Sequence, residues 1–164
     1  MINTYWLISL NEENYNITKN LGFTIQGFNS FEKRKVSRMK PDDRIVYYLN
    51  DVKGFVATAS VTSEPFEDET KYWFNSNEEE SFKDRIEINP ISILESKNYI
   101  DGNIVGPSLE YIKRWRPEKW YLSFYGMLHI IPQNDYRYLE KSIESNSPKS
   151  FRGKKSKKIR RLTR

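Results

Sequence analysis

The 164-residue chain reads as an α+β domain built around a curled sheet or small barrel, and three observations lead there. Apolar runs of strand length recur along it, the clearest being residues 44–49 and 54–62 on either side of a turn at 50–53. The helical patterns are short and separated. A hairpin sits at the centre, flanked by aromatic segments that a small curled sheet can bury.

The elements follow in order. YWLISL, residues 5–10, is a compact apolar run suited to a buried strand. Asn11 then caps a short helix with Glu12 and Glu13 in its first turn, and Gly22 offers the left-handed position that ends it. Residues 23–35 show no clean period and read as a strand fragment followed by an exposed loop. Pro41-Asp42-Asp43 is a turn into RIVYYL, where Tyr47 and Tyr48 face opposite sides of the strand. On the returning strand Phe55, Ala57, Ala59 and Val61 form one apolar face. Residues 64–77 are irregular and 77–81 form a polar loop. RIEINPISIL, residues 85–94, breaks register at Pro90, which predicts an edge strand or a bulge. Ser108 is placed to cap a helix over LEYIKRW, residues 120–128 to begin as a strand, and Pro132 to open a last helix through Glu144.

Composition narrows the chemistry. The chain has no cysteine, which excludes disulfides, thiolate metal sites and a cysteine nucleophile. Its one histidine, His129, excludes two-histidine metal motifs. MINTYWLISLNEEN lacks the basic start of a signal peptide, and no stretch has the length of a membrane span, so a soluble, cytoplasmic monomer is expected. The net charge of +5 is unevenly spread. Nine cations and no acid lie in residues 149–164, leaving 18 basic against 22 acidic residues before them. Residues 1–145 therefore read as the domain and 146–164 as a basic, disordered tail suited to polyanions.

YWLISLNEEN, SRMKPDDRIVYYL, GFVATASVTSEPFED, RIEINPISI and KWYLSFYGMLHIIPQNDYRYLEK, in this order and spacing, resemble the EVE domain, a PUA-like family related to YTH domains. The resemblance spans residues 3–144. It implies a PUA-like curled sheet, a small pseudo-barrel with short flanking helices, and a pocket for a flipped, often modified nucleobase. EVE relatives are associated with modified bases in DNA, and YTH relatives with methylated adenine in RNA. Two positions depart from the family pattern. The Pro-Gly-Asp turn is Pro41-Asp42-Asp43, where Asp tolerates left-handed angles, and the pocket Trp-Gly is Phe23-Thr24.

A flipped base needs an aromatic face to restore its stacking and a few polar partners for its edge; Asn and Ser both donate and accept. Candidates for such a pocket are Asn11, Asn14, Phe23, Phe28, Trp73, Trp120 and Ser123. Each has a plainer role beside it: Asn11 as a helix cap, Trp73 as a pin for its loop, Trp120 as an anchor for the last helix. Trp6 belongs to the core, and His129 to packing or surface. Lys113, Arg114 and Arg116 around Trp115 form a candidate backbone patch. Lys154, Lys155, Lys157, Lys158, Arg160 and Arg161 of the tail supply sequence-blind affinity, or alternatively solubility or targeting.

The leading expectation is thus a nucleic-acid-binding module, without cofactor or catalysis, that takes a modified base from DNA or RNA. The alternative is a PUA-like protein that recognises structured RNA by shape, which requires 2′-hydroxyl contacts. An enzyme has little support: the acids Glu78–Glu80 and Asp42-Asp43 have no partners at a metal-binding spacing.

Overall fold

A computed structural model describes residues 3–73, 82–112 and 116–147. Its strands are β1 (Tyr5–Leu10), β2 (Ile25–Phe28), β3 (Arg44–Leu49), β4 (Gly54–Val61), β5 (Phe66–Glu67), β6 (Asp84–Ile93), β7 (Ile100–Asp101) and β8 (Leu128–Ile130). Among the described residues four α-helices accompany them: α1 (Glu12–Asn20), α2 (Lys33–Val36), α3 (Gly102–Val105) and α4 (Gln133–Asn146). The sheet runs β2-β6-β4-β3-β1-β8, with β5 on β6 and β7 on β4. β1 and β3 are parallel, and the other pairings are antiparallel. The result is the expected α+β curled half-barrel.

The curl has a local cause. β6 pairs through residues 84–87 with β2 and through 88–93 with β4. Opposite Thr58 and Ala59 it skips Ile91, so the register slips beside Pro90. The proline lacks the N–H that a regular ladder would need, and the strand bends there, as bulges do. A second bulge leaves Val56 unmatched between Ala57 and Phe55. It reverses the pleat, so Phe55 and Ala57 do not share a face as the alternation predicted. Ala57 and Val56 pack inside the barrel, while Phe55 packs on its outer side.

Both sides of the sheet are consequently buried. Trp6, Ile8, Ile45, Tyr47 and Ile86 fill the interior. Leu7, Val46 and Tyr48 face outward beneath Leu109, Trp120, Phe124 and the Tyr136, Leu139, Ile143 stripe of α4. Asp43 ties the first turn to β1: its buried carboxylate accepts bonds from the Thr4 and Lys40 amides and from Trp6 Nε1, at 2.9–3.0 Å. Asp42 occupies the left-handed region at φ 75°, so the departure from glycine keeps the turn.

A chain of polar groups crosses the interior. Trp73 Nε1 donates to Thr18 Oγ1, the Thr18 hydroxyl donates to Gln26 Oε1, and Tyr47 donates to the same oxygen, each at 2.9 Å. Burial pushes the Tyr47 phenol well above its ordinary range, so it remains a donor. Arg85, fully buried, donates to the Phe82 and Thr70 carbonyls and lies near Asp68, holding the irregular 68–73 stretch against the sheet.

Several predicted elements differ. After β2 the chain is not a loop: a 3-10 turn (Ser30–Glu32) leads into α2, anchored by buried Val36 and Met39. Over the described part of LEYIKRW, residues 109–112, Ser108 caps no α-helix, and residues 113–115 lie outside the described residues. Leu109 is extended, and a 3-10 turn (Glu110–Ile112) follows, its Glu110 and Tyr111 amides held by Asp135 of α4 at 2.8 Å. Residues 117–124 form 3-10 turns rather than a strand, with Trp120 and Phe124 buried four residues apart. Pro132 lies one residue before α4.

Candidate nucleic-acid interface

Where β1 and β3 end, the sheet leaves a cleft of about 560 Å3 between α1 and the segment 121–127. Ser9 and Leu10 deliver Asn11, whose side chain caps α1 by accepting the Asn14 amide at 2.8 Å. One turn on, Asn14 lies along the same wall. Asn50 closes β3 and donates to Ser9 Oγ at 3.2 Å, and Asn29 follows the end of β2. The facing wall holds Tyr121, Leu122, Phe124, Tyr125, Gly126 and Met127, with Tyr48 and Phe82 between.

The facing wall is fixed by bonds from three directions. The Ser9 amide donates to the Met127 carbonyl at 2.7 Å, and the Met127 amide donates to Glu32 Oε1 at 3.4 Å. His129 Nε2 lies 3.0 Å from the Gly126 carbonyl, which can only accept, so that nitrogen carries the proton. Nδ1 then accepts from the Tyr111 hydroxyl at 3.0 Å. Burial, the main influence, holds the imidazole below its ordinary pKa of 6.5, keeping it in this neutral form. Gly126, at φ 90°, makes the corner that leaves Tyr125 90 % exposed. Lys53 Nζ stands 4.0 Å over the Tyr121 ring at the rim.

Every described residue along the cleft is uncharged. Carboxamides from three element ends converge opposite aromatic and thioether surface, and two buried acceptors or donors there, Asn29 Oδ1 and the Tyr48 hydroxyl, have no hydrogen-bond partner among the described residues. Such a lining suits a flat neutral group with a hydrogen-bonding edge, since no charge opposes its desolvation.

The sequence candidates are divided by this geometry. Asn11 and Asn14 lie along the cleft. Phe23, Phe28 and Trp73 do not: their exposures are 4 %, 0 % and 3 %, and all three belong to the barrel interior. Trp73 stacks with Phe82 and is held by Thr18, so its ring offers no free face to a ligand. Trp120 is 2 % exposed and lies over Gly102 and Gly106, where any Cβ would overlap the indole. Its Nε1 donates to Asn103 Oδ1 at 3.2 Å, which makes it an anchor for α3. Ser123, half-buried, is flanked by Leu122 and Phe124 of the lining but is not itself part of it. Arg116 is exposed, whereas Lys113, Arg114, Lys154, Lys155, Lys157, Lys158, Arg160 and Arg161 lie outside the described residues. The sequence reading missed Tyr121, Tyr125, Asn29 and Asn50; an aromatic before the glycine in SFYGM was the available signal.

A curled mixed half-barrel with its cleft at the ends of β1 and β3 defines a PUA-like fold, and solved structures agree. The Pho92 YTH domain in complex with m6A superposes with TM-score 0.63 at 9 % identity, over 90 % of this chain and 87 % of that one. The Mmi1 YTH domain in complex with RNA gives 0.58 at 12 % identity, over 87 % and 79 %. A hypothetical protein from Leishmania major gives 0.59 at 14 % identity, over 88 % and 96 %.

Sequence comparison identifies the family. The EVE domain model matches residues 4–141, and the chain belongs to the EVE domain family. UPF0310 protein PH1033 of Pyrococcus horikoshii is 29 % identical over 85 % of this chain and 99 % of its own length. UPF0310 protein PYRAB08750 of Pyrococcus abyssi is 30 % identical over 84 % and 97 %.

Proposed function

We propose that the chain is a nucleic-acid-binding module whose cleft accepts one flipped, modified base. The observation that carries this reading is the cleft itself, uncharged in its described lining, with Asn11, Asn14, Asn29 and Asn50 near one side and the exposed Tyr125 ring on the other. Carboxamides match the mixed donor and acceptor edge of a base, and Tyr125 restores the stacking lost on flipping, worth about 1–3 kcal/mol. A methyl substituent gains about 0.8 kcal/mol when it is desolvated against Leu122 and Met127. The structural neighbours crystallised with RNA and with m6A support the same class of ligand.

Binding, rather than catalysis, suits the groups present. Both nitrogens of the one histidine are occupied in holding Gly126 and Tyr111. Among the described residues no three His, Cys, Asp or Glu side chains converge, and no helix is long and apolar enough to cross a membrane. The nine cations of residues 149–164 add nonspecific affinity.

The test is a titration of matched single strands, as DNA and as RNA, carrying N6-methyladenine, 5-methylcytosine or the plain base. One modified strand is expected to bind at least threefold tighter than its plain twin, and Tyr125→Ala to weaken it about tenfold. Equal binding by every strand to both proteins overturns the reading.

A further inference from the structure

The body of the domain is acidic, yet one stretch beside the cleft is not. Residues 29–40, NSFEKRKVSRMK, hold five cations and one carboxylate. This stretch begins at Asn29 on the cleft wall. It is docked on the facing wall by two side chains. Glu32 accepts the Met127 amide at 3.4 Å, and Lys35 donates to the Leu128 carbonyl at 2.8 Å while lying 3.5 Å from Glu32 Oε2. Val36 and Met39, 2 % and 1 % exposed, anchor it from beneath.

Docking fixes what points outward. Phe31, at the cleft end of the stretch, is 87 % exposed, and no aromatic ring packs on it among the described residues. Lys33 is 4.0 Å from Glu67. Arg34, Arg38 and Lys40 are exposed and make no ion pair with any described residue. An aromatic face followed by cations that no described acid pairs, continuous with a base-sized cleft of neutral described residues, repeats the two needs of a single strand: stacking for a base and charge for its phosphates.

Building on the base-cleft reading, we propose that the strand leaving the cleft stacks its next base on Phe31 and lays its phosphates along Arg34 and Arg38. The ligand is then a segment of single-stranded nucleic acid, held at two places, and not an isolated nucleotide. Phosphodiester chemistry is common to RNA and DNA, so both are tested. Poly-glutamate offers charge but no ring for Phe31.

The experiment uses the full chain and a labelled nine-nucleotide single strand, as RNA and as DNA, beside the corresponding trinucleotide. Each phosphate contact released from a single strand contributes about 0.7 to the salt slope, or roughly fivefold in affinity at 0.1 M salt. Arg34→Ala/Arg38→Ala is expected to lower the slope for the nonamer by about 1.4 and its affinity about 25-fold, leaving the trinucleotide within twofold. Phe31→Ala is expected to weaken the nonamer about tenfold at an unchanged slope. Lys141→Ala, on exposed α4, is expected to change neither.

Unchanged affinity and slope in the double arginine variant, with either nucleic acid, overturn the proposal. So does poly-glutamate that binds as tightly as the nonamer with the same dependence on all three residues. Tyr125→Ala separates this proposal from the reading it builds on. If that variant binds normally while the arginine variant does not, the phosphate track stands and the base cleft falls; the reverse pattern removes the track alone. A wild-type chain that binds no nonamer removes both.

Discussion

Thr18→Val isolates the buried polar chain from everything around it. The two side chains are nearly isosteric and both β-branched, so neither a cavity nor a large change in helix propensity accompanies the substitution in α1. Thr18 is fully buried and holds the indole N–H of Trp73 on one side and Gln26 on the other. Valine leaves the indole donor buried without a partner, which costs about 1–3 kcal/mol, and removes the bond to Gln26, worth about 1 kcal/mol. Gln26 Oε1 keeps the Tyr47 donor, and the added methyl returns about 0.8 kcal/mol of apolar burial. The net loss is about 2 kcal/mol. With a urea dependence of about 2 kcal/mol per M, the unfolding midpoint falls by roughly 1 M. Trp73→Phe removes the same N–H from the other end. The double variant should therefore cost about 1–3 kcal/mol less than the sum of the singles, because with the indole N–H gone no orphaned donor is left to penalise. Additivity within about 0.3 kcal/mol, or a Thr18→Val midpoint equal to wild type, refutes the network as the clamp on Trp73.

Two further outcomes follow from the packing around the cleft. His129 is held neutral by burial, its folded pKa below the ordinary 6.5. As pH falls through 6.5 the unfolded chain takes the proton first, so the stability this group contributes is complete above about pH 7. It drains away as pH descends to the folded value, by at most about 1.4 kcal/mol per pH unit. His129→Gln, whose amide can still donate to Gly126, should flatten that part of a stability profile measured from pH 7 to 5; an unaltered slope counts against the assignment. Gly106→Ala places a methyl inside the Trp120 ring, and overpacking of this kind costs about 1–3 kcal/mol. The thermal midpoint should drop by about 3–8 °C and recover in part when Trp120→Phe is added; a midpoint within 1 °C of wild type shows the contact to be looser than described.

The features legible in the sequence were those written in a few adjacent residues. The Asn11 cap, the hairpin, the Asp42 turn and the irregularity at Pro90 each depend on local backbone chemistry, and each is present. Asn11 and Asn14 lie along the cleft because they follow directly from the end of a strand that periodicity located. The aromatic residues were harder, since a ring becomes core or surface according to which other elements arrive over it. Trp73 stands in a polar, irregular stretch, and only Thr18 and Phe82, 55 and nine residues away in sequence, make it interior. Phe55 and Ala57 looked like neighbours on one face until a single extra residue separated them. In residues 117–124 the four-residue spacing of Trp120 and Phe124 signalled helical winding, but the dense aromatic content imitated a strand. Tyr125 is exposed because Gly126 turns the chain and His129 holds the turn, a relation no window of sequence displays.

The cleft is assembled from opposite ends of the chain: Ser9 is bonded to Met127, and β1 is completed at its outer edge by β8. Parallel pairing of β1 with β3 adds a second long closure. Contacts so distant in sequence form late and slowly. During synthesis, a nascent chain that has emerged only to residue 110 carries the four asparagines of the cleft and none of the 121–127 wall that faces them. Binding competence should therefore arrive abruptly, with the last quarter of the domain, so that incomplete chains compete poorly for the ligand.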